Sequence, residues 1–324
     1  MGNNNTSNAI EINKKYLNTP FGKKFSSYPT RNLLSALENL KKQGKIDNIK
    51  SKYILKNIFD NINKKQTLKI INYNKKIQNR LNISIKDYKE FSEIYSTIEI
   101  EIIPKRDLNY SYDFIHISNK NIHVYFNNNI KEEVNKYSIN KNDKVEKIKV
   151  VIDYQADSFY TLFNNCDCIE SISFTKFTRN NITNTGYMFY NCSSLKKINF
   201  YNFNTENVTS MIYMFYKCVS SNKLDLSKFN TEKVIDMLHM FDCCTSLKEL
   251  KISNFNTKNI VNMNNMSTYC NSLSYIPIKN FDTSNVEQME EMFLLCSSMK
   301  NVLDTSKFDV AKVKNMKSMF AGCQ

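Results

Sequence analysis

Apolar residues in the second half of the chain follow two alternating periods. In the stretch "NFNTENVTSMIYMFYKC" they are spaced by 3, 4 and 3 residues, which places them along one face of an α-helix. In "SLKELKISNF" Leu250 and Ile252 alternate with polar residues, as in a strand with one buried face. The helical stripe consists of Val208, Met211, Phe215 and Cys218. Each unit is therefore predicted to contain a short strand and a helix.

This pattern recurs every 26 residues from Asp157 to the end of the chain, with a last interval of 27. One large apolar position, followed three residues later by cysteine, marks each unit. The marker positions are Phe163, Phe189, Phe215, Phe241, Ser267, Phe293 and Phe320, and the cysteines are Cys166, Cys192, Cys218, Cys244, Cys270, Cys296 and Cys323. A lone unit buries too little apolar surface to offset its ordering entropy, so the units must stack. The predicted fold class is α/β, a right-handed solenoid of strand-plus-helix units.

An Asn-Thr or Asp-Thr pair precedes each helical stripe. Asn204-Thr205 and Asp282-Thr283 are two of these pairs. Their side chains can accept hydrogen bonds from the free N–H groups of a first helical turn, so they are predicted to be helix N-caps.

The stretch "MFYNCSSLKKINFYNFNTENVTSMIYMF" resembles the BspA-like leucine-rich-repeat family, whose consensus runs close to MF-x-x-C-x-S-L-x-x-L-D-L-S-x-F-N-T-x-x-V-x-x-M-x-x-M-F. The resemblance covers about 170 of the 324 residues. It implies a leucine-rich-repeat solenoid that acts as a surface or interaction protein without catalytic residues. The chain departs from the consensus at Thr185-Gly186, where Met is usual, and at Ser267, where Phe is usual.

In such a fold the outward strand residues vary without harming the core. Counting five, seven and nine residues after each repeat cysteine locates them on the concave face. Tyr201 and Tyr275 are the expected anchors of a protein partner, because large amphipathic rings dominate interface energetics. The predicted partner-binding residues are Lys197, Tyr201, Lys223, Asp225, Glu249, Lys251, Tyr275 and Lys279. The alternative is that this face is only solvated.

The chain divides by pattern into four segments. Residues 1–29 are predicted to be a flexible Asn/Lys-rich tail, 30–96 a helical module, 97–155 a small β-rich N-terminal cap, and 156–324 a solenoid of about six units. A first helix is expected between Thr30, as N-cap, and Gly44, as its stop. The sequence ends at Gln324 within a unit, without an evident polar capping repeat. A longer array, a partner or a second copy covering the last unit is therefore expected.

The stretch "YILKNIFDNINKKQTLKIINYNKKI" resembles a degenerate F-box. That resemblance implies docking on a Skp-type adaptor of a ubiquitin ligase, with the repeats selecting the substrate. The residues that would contact the adaptor are Ile54, Leu55, Ile58 and Phe59. No Leu-Pro precedes the first helix and the chain has no tryptophan, so an ordinary helical cap is the alternative reading of the same stripes.

From Thr97 the period is two, with Ile98, Ile100 and Ile102 alternating with glutamates until Pro104. Residues 115–117 and 122–126 are predicted to form a hairpin, and 145–152 a further strand. This β-rich segment is expected to cover the open N-terminal edge of the repeats.

The formal net charge of +14 is spread along the chain, with no basic stripe interleaved with aromatic residues, so no nucleic-acid partner is expected. No apolar stretch is long enough to span a membrane, and no signal-peptide core follows the N-terminus, which favours a cytoplasmic protein. An externally displayed adhesin, the usual role in the BspA-like family, remains an alternative that would need an export signal.

Candidate chemistry is sparse. Seven of the nine cysteines occupy the repeat position and are predicted to be structural, and the remaining spacings lack the companions of a zinc site. His116 and His123 have no third ligand or neighbouring nucleophile. With no phosphate loop and only five glycines, we predict no enzyme, no cofactor and no metal.

The N-terminal sequence Met1-Gly2-Asn3-Asn4-Asn5-Thr6 fits the pattern for myristoylation of Gly2. Nearby lysines would supply the electrostatic signal that one acyl chain needs for stable anchoring. Membrane contact is expected only if Gly2 is acylated, and the alternative is an unmodified polar tail.

Overall fold

The computed structural model describes residues 30–323 except 45, 50–51, 61, 63, 73, 118–121 and 300–302. Gly2 and the predicted tail lie outside these residues. The chain divides into two compact units, residues 1–92 and 93–324. No helix in the described part of the chain is long and apolar enough to cross a membrane.

Helices form the described part of the first unit. They are α1 (Thr30–Lys42), α2 (Lys52–Asp60), α3 (Lys64–Ile71), α4 (Lys75–Arg80) and α5 (Ile85–Tyr95), with a short 3₁₀ turn at Ile46–Asn48. The predicted first helix is confirmed, and Gly44 follows it with a left-handed φ of 64°, a conformation that glycine adopts without strain. Asn74 caps α4 by accepting a hydrogen bond from the Ile77 N–H, and its amide donates to Asp47. Apolar side chains of α1 to α4 and the intervening turns pack together in one core.

The second unit begins with a mixed five-stranded sheet. Its strands are β1 (Ile98–Pro104), β3 (Ile122–Phe126), β5 (Ile148–Ile152), β6 (Ile169–Lys176) and β7 (Lys197–Asn199), in the order β3-β5-β1-β6-β7. β2 (Tyr112–Asp113) pairs with β4 (Ser138–Ile139), and β8 (Lys223–Asp225) pairs with β9 (Glu249–Lys251). The expected hairpin is wrong in its pairing, because β3 pairs with β5 rather than with residues 115–117.

Central strand β1 links the β-rich segment to the repeats. It pairs antiparallel with β5 on one side and with β6, the first repeat strand, on the other. Its isoleucines alternate inward, and Ile98, Ile100 and Ile102 are fully buried. From β6 onward the pairing becomes parallel, because successive repeats run in the same direction.

The predicted strand-plus-helix solenoid is wrong. Residues 157–299 and 303–323 contain no helix, the regular elements found there are strands, and none of the described sheets of the unit is closed or curled. Short strands occur in the first four repeats, and the remainder of each repeat consists of turns. The repeats lie side by side in parallel register, as the bridges Ser158 to Asn184, Asn184 to Ser210 and onward show.

Two left-handed residues per repeat replace the helix. Tyr213 and Lys217 have φ values of 53° and 55°, and equivalent pairs recur in the other repeats. The N–H groups of Tyr213 and Phe215 donate to Leu238 and Met240 of the next repeat, whereas an α-helix would keep them for its own carbonyls. The turns therefore repeat every four residues. Turns of this period bury residues at the same 3-4-3 spacing as a helix does, which is why the sequence pattern predicted a helix.

Three ladders of buried side chains join neighbouring repeats. Phe163, Phe189 and Phe215 stack with centroids 5.4 and 5.6 Å apart. The repeat thiols donate to a carbonyl about one repeat back, as Cys244 Sγ does to Phe215 O at 3.1 Å. Each of these ladders uses main-chain or ring surface that a lone repeat would leave exposed, so stacking is what completes the core.

The Asn-Thr pairs form the third ladder rather than helix caps. The hydroxyl of Thr205 donates to Asn230 O at 2.9 Å and accepts from Asn230 N at 2.7 Å. Asn204 Oδ1 accepts the N–H of Glu206, two residues on, in a turn. The predicted caps do bind local N–H groups, but no helix follows them.

Candidate interaction surfaces

The first candidate surface is the strand face, formed by the outward residues of β7, β8 and β9 together with Tyr201, Tyr275 and Lys279. In β8 and β9 the central residue is buried and both flanking residues are exposed. Lys223 pairs in register with Glu249, and Asp225 with Lys251. The repeat register therefore aligns the charged residues singled out from the sequence in rows across neighbouring repeats.

Four of those charged residues neutralise one another. Lys223 Nζ lies 2.9 Å from Glu249 Oε2, and Lys251 Nζ lies 3.3 Å from Asp225 and 3.6 Å from Glu249. Hydrogen bonding to Lys223 lowers the pKa of Glu249. The pKa of Asp225 is lowered mainly by the Ser227 hydroxyl and further by Lys251. Because the pairs are exposed, they order the face but add little stability.

Two large exposed rings occupy positions of the strand face. Tyr201 is 78% exposed and Tyr275 is 50% exposed. The backbone of Tyr201 is held by a 3.0 Å hydrogen bond from its N–H to Asn199 Oδ1. Lys197 is exposed at the start of β7, and Lys279 is exposed beyond Tyr275. The strand face thus offers aromatic anchors on a rigid support.

A second candidate surface was not predicted from the sequence. It is the tyrosine face, which consists of Tyr160, Tyr187, Tyr190, Tyr213, Tyr216 and His239. Tyr187, Tyr213 and His239 stack in one column with centroids 4.7 and 4.4 Å apart. Tyr190 and Tyr216 stack 4.7 Å apart in a second column. The two columns are in contact within each repeat: the centroids of Tyr187 and Tyr190 lie 5.3 Å apart with tilted rings, and those of Tyr213 and Tyr216 lie 5.3 Å apart edge to face.

Charge at the tyrosine face is limited. His239 Nδ1 lies 2.7 Å from Asp242 Oδ2, and Asp242 is buried. The Lys217 ammonium lies 5.3 Å from the centroid of the Tyr216 ring. Burial, as the largest cause, raises the pKa values of Tyr187, Tyr213 and Tyr216 further above neutrality, so these rings carry no charge at neutral pH.

The signal for this face was present in the sequence. Tyr187, Tyr213 and His239 share one repeat position, and Tyr190 and Tyr216 share another three residues later. In the predicted helix these positions would be ordinary solvent-facing sites, so the recurring aromatic residues did not indicate a binding surface. The left-handed turns bring equivalent positions of neighbouring repeats within ring-stacking distance.

The thiols and histidines occupy structural positions. Burial raises the pKa of Cys168 to about 12, and those of Cys192, Cys218, Cys244 and Cys270 well above the usual value. Protonated thiols of this kind are poor nucleophiles. His116 Nε2 contacts Asn164 O, and His123 Nδ1 lies 3.0 Å from Glu133. Within the described residues, no group of three or more His, Cys, Asp or Glu side chains is arranged to hold a metal ion.

Three of the residues matched to an F-box lie inside the first unit. Leu55, Ile58 and Phe59 are at most 5% exposed, and all three pack in the helical core. The side chain of Ile54 lies outside the described residues. Among the α2 side chains that the structure describes, those of Lys52, Lys56 and Asp60 are exposed. Adaptor binding stays a prediction, and substitutions at the buried positions would test folding as well as binding.

These features define a repeat protein with a uniform interior and two outer faces that differ from repeat to repeat. Residues 157–273 and 243–324 match the family described as Mycoplasma protein of unknown function, DUF285. Together these matches span more than half of the chain, and the protein belongs to this family. No protein with a curated description matches the chain, and no solved structure matches it.

Proposed function

We propose that the protein is a non-enzymatic scaffold that binds a partner protein through the strand face. The observation that carries the proposal is the exposure of Tyr201 and Tyr275 beside an ordered network of ion pairs. The repeat interior needs neither ring, because both project from turns or irregular segments outside the core. The resemblance to BspA-like repeats, a family of interaction proteins, supports the same reading.

Binding energy on this face would come from the two rings. Interface tyrosines often contribute about 2 kcal/mol or more when truncated to alanine. The four-residue charge network would set orientation and partner choice, since rim charges affect specificity and association rate more than affinity. A rigid repeat stack keeps the entropy cost of presenting these groups small.

The proposed compartment is the cytoplasm. The described cysteines are all free, and the repeat thiols donate hydrogen bonds that oxidation would remove. A reducing compartment preserves such a ladder. A role as a ubiquitin-ligase adaptor, with the first unit on a Skp-type protein, remains a second hypothesis that rests on the F-box resemblance.

A photo-crosslinking residue placed at position 201 or 275 tests the proposal in cells. Both positions should yield an adduct with the same protein. Position 110 is the matched control, because Tyr110 is 64% exposed but lies outside the strand face.

Purified partner should then bind Tyr201→Ala and Tyr275→Ala at least about 10-fold more weakly than the native chain, from the loss of a buried anchor. Tyr110→Ala should bind normally. An absence of adducts at both strand-face positions, or equal adducts at position 110, would contradict the proposal.

A further inference from the structure

The tyrosine face is a periodic strip. Tyr187, Tyr213 and His239 occupy the same position in three successive repeats and stack with centroids 4.7 and 4.4 Å apart, and Tyr160 of the preceding repeat packs edge-on against Tyr187 from a neighbouring position. We propose that this strip binds a linear, neutral polysaccharide that runs along the repeat axis with one sugar unit per repeat. This proposal is independent of protein binding by the strand face.

Free hydroxyl groups favour a polyol ligand. The phenol groups of Tyr187, Tyr190 and Tyr213 make no hydrogen bond with another described residue. A phenol is protonated at neutral pH, so each of these hydroxyls can both donate and accept. Asn191, the residue after Tyr190, adds one amide pair, with its Nδ2 donating to Asn165 Oδ1 at 2.8 Å. Sugar hydroxyls match such a mixed surface, because they too donate and accept.

The small charge argues against a polyanion. Lys217 is the only cation that contacts these rings within the described part of the chain, at 5.3 Å from the Tyr216 centroid. Asp242 is buried and paired with His239. Nucleic acids gain most of their affinity from several phosphate contacts, which one ammonium group cannot supply.

Geometry also excludes ligands that bind by base stacking. The tyrosine rings already use their faces on one another, so mainly their edges and hydroxyls remain, and single-stranded nucleic acids need free ring faces. Spacing separates the remaining polymers. An extended peptide advances about 3.3 Å per residue, which does not match a repeat spacing of about 4.8 Å. One pyranose unit in an extended chain has a length close to that spacing, so its hydroxyls would meet an equivalent ring in each repeat.

Affinity electrophoresis of the full chain tests the proposal, in native gels containing one of four linear neutral polymers: dextran, pullulan, glucomannan or hydroxyethylcellulose. At least one of these neutral polymers should retard the protein. The double variant Tyr187→Ala/Tyr213→Ala should lose about 10-fold or more in affinity, as expected when central aromatic contacts are removed. Tyr201→Ala/Tyr275→Ala on the strand face is the matched control and should be retarded like the native chain.

A second variant controls for the possibility that the double alanine variant unfolds. Tyr187→Phe/Tyr213→Phe retains the stacked rings and removes only the hydroxyls, so it should fold and bind about 3-fold to 10-fold more weakly through lost hydrogen bonds. Because the chain contains no tryptophan, tyrosine fluorescence gives a direct second readout of polymer binding. No retardation by any of the four polymers overturns the proposal, as does equal retardation of the native chain and the folded phenylalanine variant. A protein that crosslinks to this face without polysaccharide binding would also overturn it.

Discussion

The hydroxyl of Ser221 donates a 2.6 Å hydrogen bond to the main-chain oxygen of Leu195, one repeat earlier. Ser267 is also fully buried, but its hydroxyl oxygen has no partner among the described residues. Ser267 replaces the phenylalanine of the other repeats, and the ring ladder is interrupted there between Phe241 and Phe293. Two buried serines therefore differ in one respect, the satisfaction of their hydroxyl groups.

Alanine substitutions at these two serines should have opposite effects. Ser221→Ala should lower the free energy of unfolding by about 1 to 3 kcal/mol, because it leaves the Leu195 carbonyl buried without its donor. Ser267→Ala should leave stability unchanged or raise it by up to about 1 kcal/mol, since it removes a buried polar group without a partner. Thermal melting of both variants measures the difference. A larger loss for Ser267→Ala than for Ser221→Ala would contradict the structure.

The neighbouring cysteines Cys243 and Cys244 provide a second matched pair. Cys244 is fully buried, and its thiol donates to Phe215 O at 3.1 Å, whereas Cys243 is only half-buried and lies outside the ladder. Cys244→Ala should cost about 1 to 2 kcal/mol from a lost hydrogen bond and a small cavity. Cys243→Ala should cost less than about 0.5 kcal/mol. Urea titration monitored by circular dichroism distinguishes the two, and equal losses would rule out a structural role for the ladder.

Sequence reasoning located the core of the repeats but not their backbone. Val208, Met211 and Phe215 are fully buried, as the stripe predicted. Their spacing fits a helix and a run of four-residue turns equally well, and only the left-handed residues separate the two. Tyr213 and Lys217 adopt that conformation although neither type favours it, but Asn165, Asn191 and Asn265 stand at equivalent positions of other repeats and are of a type that does. This local signal was present in the sequence and was not used. Hydrogen bonds to the next repeat select the turns over the helix, and these bonds form only when the repeats stack.

The two candidate surfaces also differ in how far the sequence could predict them. Rows on the strand face followed from the repeat register alone, because a fixed period brings Asp225 beside Lys251 whatever the backbone between them. The tyrosine face needed the turn geometry to bring Tyr213 onto His239. The pairing of β1 with both β5 and β6 joins residues distant in sequence, which periodicity within one strand cannot specify.

The buried thiols predict loss of stability in alkali. Burial raises the pKa of both Cys168 and Cys296 to about 12 in the folded chain, whereas an unfolded thiol ionises near its ordinary value of about 8.5. A raised folded-state pKa contributes stability that is fully present below the unfolded value and is lost as pH rises toward the folded value. Each such thiol should lower the free energy of unfolding by about 1.4 kcal/mol per pH unit across this window.

Melting temperatures measured at intervals from pH 7 to 10.5 test this expectation. They should be level up to about pH 8.5 and fall steadily above it. Cys296→Ala should show a lower melting temperature at pH 7 but a shallower alkaline fall, because one titrating thiol is gone. A melting temperature that stays constant through pH 10.5 would show that the thiols are not buried as described.

Arg179 is the last test of how the β-rich segment joins the repeats. Its side chain is fully buried and donates to the main-chain oxygens of Ser96, Tyr154 and Ile152. Burial lowers its pKa, and the nearby Asp153 opposes that shift. Arg179→Met should therefore cost about 3 to 5 kcal/mol, since it strips donors from three carbonyls in the interior. Lys228→Met, at an exposed repeat position, should change stability by less than about 0.5 kcal/mol.

The variant Arg179→Lys separates the effect of charge from that of donor geometry. One ammonium group cannot reach three carbonyls as a guanidinium does, so most of the loss of stability should remain. Full recovery of the melting temperature in Arg179→Lys would mean that the charge alone, and not the fork of donors, holds these strands to the first repeat.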